Sequence, residues 1–182
     1  MKFVTSIMAV FLLTGCTCSE NVVTVKQTRS DSPVILRLKK DKATIFSISY
    51  PLTLQAKKNV RREVYYAENS YLFRNVSLSS GTAGCYLTAQ DNNINLDGNY
   101  KRLDGSILYL TYNNDSIQEM LSEEIDRMVS EKKDTVHIQL KEFRKKHGKL
   151  IENYLMGDSM ILHFNDHKKW YDIPLKVDLL VE

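Results

Sequence analysis

The sequence predicts an α+β fold: mostly antiparallel β-sheet or sandwich, with one long amphipathic helix at about 115–132 and a C-terminal β-meander. Three observations carry this prediction. Short runs rich in β-branched and aromatic residues are separated by polar, glycine-containing punctuation. A single stretch combines a cap, an apolar stripe of helical period and a basic end. Beyond it, alternating residues and turn signals continue to the C-terminus.

The chain opens MKFVTSIMAVFLLTGCTCSE. One positive side chain, Lys2, precedes an apolar run from Phe3 to Leu13, which closes in the small residues Thr14 and Gly15. That order is the signature of a secretory signal, and the run is well short of the roughly 20 residues that span a bilayer. Residues 1–15 are therefore read as a cleaved signal peptide, 16–32 as a polar tether and 33–182 as a single globular β-rich domain. The VVTV stretch at 22–25 is an early candidate strand inside the tether.

The junction Leu13-Thr14-Gly15-Cys16 resembles the lipobox of bacterial lipoproteins. The resemblance implies cleavage before Cys16, whose sulfur then carries a diacylglyceryl group and whose amine carries an acyl chain. Several acyl chains anchor stably where one binds only marginally, so the domain would be tethered to a membrane without spanning it. In Gram-negative lipoproteins an aspartate directly after the lipidated cysteine commonly retains the protein at the inner membrane; Thr17 stands there instead, so for a Gram-negative source the resemblance implies the outer membrane.

Export into an oxidising compartment permits disulfides. With Cys16 used for lipid, Cys18 and Cys85 either pair or leave Cys85 as a small buried residue of the strand-like GCYLTA. The expected strands are VILRLKK (34–40), ATIFSISY (43–50), EVYYA (63–67), YLFRNVSL (71–78), GCYLTA (84–89) and SILYLTY (106–112). In ATIFSISY, Ile45, Ser47 and Ser49 alternate with Phe46, Ile48 and Tyr50, which predicts one face in and one out.

The helix is expected in NDSIQEMLSEEIDRMVSEKK. Ser116 with Glu119 forms a capping-box pattern, and Ile117, Met120, Leu121, Ile125 and Met128 form the apolar stripe. Beyond it, Val136, Leu140, Phe143, Leu150, Ile151 and Tyr154 fit a helix face. The alternation of Val136, Ile138 and Leu140, the interruption at Gly148 and the turn-like Gly157-Asp158 fit strands. The reading adopted is a meander of TVHIQLKEF, LIENYLM, MILHF and WYDIPLKV, with Pro174 on an edge strand or bulge.

A meander would place the RKKHGK turn (144–149) and the NDHKK turn (165–169) at one end of the sheet. Arg144, Lys145, Lys146, Lys149, Lys168 and Lys169 would then make a local positive field suited to an anionic partner. Overall charge is nearly balanced, 25 basic against 22 acidic residues, and gives no argument for nucleic acid. His163 and His167 flank Asp166, but their spacing on a strand entering a turn does not converge two rings, so no metal is expected. No G-x-S-x-G elbow, P-loop, G-x-G-x-x-G or H-E-x-x-H occurs, so neither an enzyme nor a cofactor is expected. The function that fits is a lipid-anchored, non-catalytic binding or accessory protein of the bacterial cell envelope, with a protein or envelope-polymer partner. The alternative is an immunity or inhibitor lipoprotein that neutralises an exported toxin or wall-degrading enzyme.

Overall fold

The computed structural model describes residues 22–40, 43–73, 76–77, 83–88, 94–96 and 100–181. The lipobox, Cys16 and Cys18 lie outside the described residues, and with them the candidate Cys18–Cys85 pairing. The strands are β1 (Val23–Thr28), β2 (Val34–Leu38), β3 (Ile45–Lys58), β4 (Tyr65–Phe73), β5 (Val76–Ser77), β6 (Ala83–Thr88), β7 (Ile94–Asn95), β8 (Lys101–Leu110), β9 (Thr135–Ile138), β10 (Ser159–Asn165) and β11 (Trp170–Lys176). The helices are α1 (Asp115–Met120), α2 (Ser122–Ser130) and α3 (Leu140–Leu150), the last running into a π-helical turn at Ile151–Leu155. The α+β, mostly antiparallel class holds.

The strands form two antiparallel sheets. The first runs β6-β8-β3-β2-β9, with β1 also on β3; the second runs β11-β10-β4-β5, with β7 also on β4. The long β3 organises the first sheet: β8 pairs along Ser47 to Ala56, while β2 and β1 follow one another on its other edge. Part of the stretch read as tether is therefore β1, held because Val22 and Val23 are core residues.

Pro51, buried in the middle of β3, costs no ladder bond. The Thr111 N–H donates to the Phe46 carbonyl, and the unbroken β3–β8 register then turns odd-numbered amides away from β8. On that other edge, Pro51 falls between the last β2 partner, Ser49, and the first β1 partner, Thr53. A missing N–H is tolerated where no strand waits for it.

Side-chain character alternates along β3 from Ser47 onward, but the expected burial of one face and exposure of the other is corrected: every residue from Ser47 to Leu54 is buried, on both faces, and the exposed residue of the strand is Phe46. There Arg37 pairs with Ser47 and Leu38 with Ile45, so Phe46 is the extra residue of a bulge. It is pushed outward to 39 % exposure and stacks on Tyr112 at 5.6 Å. Inward, Ile48, Tyr50, Leu52 and Leu54 join Leu103, Ile107 and Tyr109 of β8, with Met160, Leu162 and Phe164 of β10 also in the core. The small hydroxyls on the other face of β3 are closed off by cross-strand bonds, Ser49 to Ser106 and Thr53 to Asp104.

The single long helix is corrected to two short ones. Leu121 breaks the stretch, its N–H shared between the Ile117 and Gln118 carbonyls in a tightened turn. The cap is also displaced by two residues from the Ser116 pattern: the Asn114 side chain accepts the Ile117 N–H. Gln118 is held against the start of β3, its amide bonding both the Ile45 N–H and the Ile45 carbonyl.

The four-strand meander is corrected as well. TVHI is a strand, but it pairs with β2 in the first sheet. The next stretch is helical because Leu140, Phe143, His147, Leu150, Ile151 and Leu155 recur every three to four residues and all are buried, a larger apolar stripe than any strand there could form. Gly157 and Asp158 are not a hairpin turn; Gly157, at φ 99°, reverses the chain from the π-helical turn into β10. The β10–β11 hairpin stands as expected, with Pro174 on the edge strand β11.

Two sheets and a helix are tied together by buried polar groups. Tyr109 Oη of β8 donates to Asp158 Oδ2 at 2.8 Å and lies 3.1 Å from the Leu155 carbonyl, while Tyr71 Oη of β4 also donates to Asp158 Oδ2. Asp158 is 1 % exposed, so these hydroxyls supply the solvation it has lost. Burial pushes both tyrosine hydroxyls far above their ordinary range, and both remain donors.

Candidate functional site

A cleft lies where the end of β1, the start of α3 and the C-terminal tail meet. It has a volume of about 760 Å³, within the range of small-ligand sites, and its lining includes Arg29, Asp31, Lys141, Arg144, Lys145 and Leu180. Four cations face one carboxylate. That carboxylate, Asp31, is exposed and 3.9 Å from Arg29, which is exposed as well, a pairing too loose and solvated to neutralise the cleft.

The helix builds most of this arrangement. Burying Leu140, Phe143 and His147 against the core leaves Lys141, Arg144 and Lys145 on the adjoining face, at the three- and four-residue spacing that brings helical side chains together. The first turn of α3 contributes the positive end of its dipole. Arg144 is held from behind: Nε donates to Tyr50 Oη at 2.8 Å and Nη1 to the Val181 carbonyl at 2.7 Å. Tyr50 in turn donates to the Leu179 carbonyl at 2.5 Å and packs edge-on to Phe143. Burial raises the Tyr50 hydroxyl above its ordinary value against the pull of Arg144, so it keeps its proton and its role as donor. A guanidinium fixed along one edge presents its remaining N–H groups without further loss of rotamer freedom, which suits a phosphate or carboxylate.

Only part of the expected basic patch is assembled here. Arg144 and Lys145 line the cleft. Lys146 turns to the other side of α3, bonding Glu123 at 2.8 Å and the buried Glu124 at 2.7 Å, with His147 Nε2 3.2 Å from the same Glu124 oxygen. Lys149 is exposed on α3. Lys168 and Lys169 belong to the β10–β11 turn, where the Lys169 ammonium lies 5.1 Å over the Tyr171 ring. The meander that would have brought 144–149 and 165–169 to one end of a sheet does not exist, so the six cations lose that reason to act together.

Arg29 and Lys141 are the contributors that sequence reasoning missed. Arg29 sat in a stretch read as tether, and Lys141 in one read as a strand; the Lys141, Arg144, Lys145 spacing is the signal that a helical reading would have used.

The histidines do not converge. His163 Nδ1 is 2.8 Å from Asp172, while the His167 ring packs on Tyr65 at 4.7 Å. Asp166 between them is committed to the turn: the Tyr171 hydroxyl, the Lys169 and Lys168 N–H groups and the Arg62 guanidinium hold its carboxyl far below the usual carboxylate range. Among the described residues no group of three or more His, Cys, Asp or Glu side chains gathers to hold a metal, and no helix is long and apolar enough to cross a membrane. Compared with known protein families, curated proteins and solved structures, the chain matches none of them.

Proposed function

We propose that this chain is a lipid-anchored binding lipoprotein of the bacterial cell envelope that holds a phosphate or carboxylate group of an envelope component. The observation that carries the binding role is the cleft in which Arg29, Lys141 and Lys145 surround the preset Arg144 guanidinium. The lipobox resemblance at Leu13 to Cys16 supports the anchor, and for a Gram-negative source Thr17 supports the outer membrane. A tethered cleft raises the effective concentration of any partner fixed near the same membrane.

Binding is tested with polyphosphate and polygalacturonate as phosphate and carboxylate probes, on the intact chain and on a Lys141→Ser, Lys145→Ser variant. The expected result is weakening of roughly 10-fold or more with a reduced salt dependence; equal binding by both proteins removes the cleft from the function. The anchor is tested by fractionation: Cys16→Ser leaves the membrane fraction and Cys18→Ser stays in it. Retention of the Cys16→Ser protein argues against the lipid anchor.

A further inference from the structure

The outer face of the second sheet carries an arrangement that no sequence motif announces. Ser70 of β4 has its Oγ 2.9 Å from His163 Nε2 of β10, and His163 Nδ1 is 2.8 Å from Asp172 Oδ1 of β11. The residues come from three neighbouring strands. His163 stands directly opposite Asp172 on one side and Glu68 on the other, while Ser70 lies one row further along, opposite Ile161.

Hydrogen-bonding capacity decides the direction of both bonds. A carboxylate only accepts, so His163 Nδ1 carries the proton that Asp172 receives. In the neutral ring Nε2 is then the acceptor, and the Ser70 hydroxyl donates to it. A serine donating to a histidine oriented by an aspartate is the nucleophile, base and orienting-group order of acyl-transfer sites, which is recognised by geometry and not by position in the chain.

Two further features belong to the same place. The β4–β10 register shifts immediately after His163, so Ala67 is an extra residue of β4, a bulge of the kind that re-aims side chains beside active sites. Next to Ser70, the adjoining positions on that face are Ile161 and Pro174, with Leu72 in the row beyond. Ser70 is exposed and His163 is partly covered, so the nucleophile is open to solvent while its base is partly sheltered.

We propose that Ser70 is a nucleophile activated by His163 and positioned through Asp172, which takes the acyl group of small esters with an apolar acyl chain. Ser70 Oγ forms a bond to the acyl carbon as its proton passes to His163 Nε2. The C–O bond to the alcohol breaks, and the alcohol leaves with that proton. Water then attacks the acyl-serine, giving one proton to Nε2; the released Ser70 Oγ takes it back and the carboxylic acid departs. Ile161, Pro174 and Leu72 offer the acyl chain an apolar strip, and the Glu68 carboxylate beside His163 disfavours an anionic substrate. This reading stands apart from the anion cleft and rests on different residues.

The test is labelling of the purified full chain with a fluorophosphonate probe, read by peptide mass spectrometry, together with hydrolysis of p-nitrophenyl butyrate. A single adduct at Ser70 is expected, absent in Ser70→Ala. In His163→Ala both rates fall by about 10²-fold or more, the scale of general-base assistance, and added imidazole restores labelling. Asp172→Asn lowers kcat more than KM, and Asp172→Glu recovers part of the loss, an outcome that a purely structural ion pair does not predict. Absence of a Ser70 adduct in the unmodified chain overturns the proposal without recourse to any variant. An adduct that forms as fast in a folded His163→Ala protein overturns it equally, leaving the row as a hydrogen-bonded ladder.

Discussion

Replacing Gly105 with alanine tests how β6 lies on β8. Gly105 pairs with Leu87 on one side and Leu52 on the other, so both of its edges are occupied. A Cβ built there meets the Tyr86 carbonyl oxygen at 2.1 Å and the Leu87 Cα at 2.8 Å, both backbone atoms with no rotamer to change. An ordinary carbon–oxygen approach is about 3.3 Å, so β6 has to withdraw by roughly 1 Å. Ladder bonds of about 2.9 Å then stretch toward 4 Å, and each one lost costs about 0.5–1.5 kcal/mol. Added to the ~1–3 kcal/mol of ordinary overpacking, the expected destabilisation is about 3 kcal/mol. For a chain of this size that lowers Tm by roughly 6–12 °C, measurable by calorimetry. Gly148→Ala is the control: its Cβ meets nothing within 4 Å, it lies in α3, and it raises stability by about 0.5–1 kcal/mol. If Gly105→Ala melts within about 1 °C of the parent, the close approach of β6 and β8 is refuted.

Tyr109→Phe removes a donor from buried Asp158 and should cost about 1.5–3 kcal/mol in urea denaturation, with a loss below about 0.5 kcal/mol speaking against the buried network. For Glu124, burial alone raises the carboxyl pKa, but the Lys146 ammonium and His147 outweigh it and the net shift is downward. A depressed folded pKa means that its stabilisation is complete above the ordinary carboxylate value of about 4.3 and is lost as pH falls through the lower folded value. Glu124→Gln should therefore flatten the fall of Tm in that acid window, and identical Tm–pH slopes in both proteins would contradict the assignment. Burial pushes the Cys85 thiol up to about 12, so alkylation by iodoacetamide should be slow at neutral pH and accelerate in alkali. Rapid neutral modification, followed by mass spectrometry, would contradict that burial.

Elements governed by neighbours in the chain were legible. The β10–β11 hairpin follows from alternation on both sides of a short polar turn; in β3 the same period marked the apolar face, while the burial of the serine and threonine face as well came from the layers packed on it. Elements governed by competition between two periodicities were not. Residues 135–155 carry both patterns, and the burial available beneath α3, with Phe143 against Tyr50, decided for the helix. Phe46 was misplaced because a bulge depends on the partner strand, which a single strand's residues do not contain. The basic site was half legible for the same reason: Arg144 and Lys145 were singled out, but as part of a sheet end that does not form.

By itself the sequence determined the β-rich class and the terminal hairpin, because strand alternation and turn chemistry are local properties. Only the tertiary structure decided which distant residues meet. Arg29 reaches α3 because β1 belongs to the first sheet, and Tyr50 and the Val181 carbonyl fix Arg144 because the tail returns past that helix. Ser70, His163 and Asp172 are brought together by strand register alone: a shift of one residue in β4 or β11 would turn Ser70 or Asp172 to the opposite face and separate the three side chains.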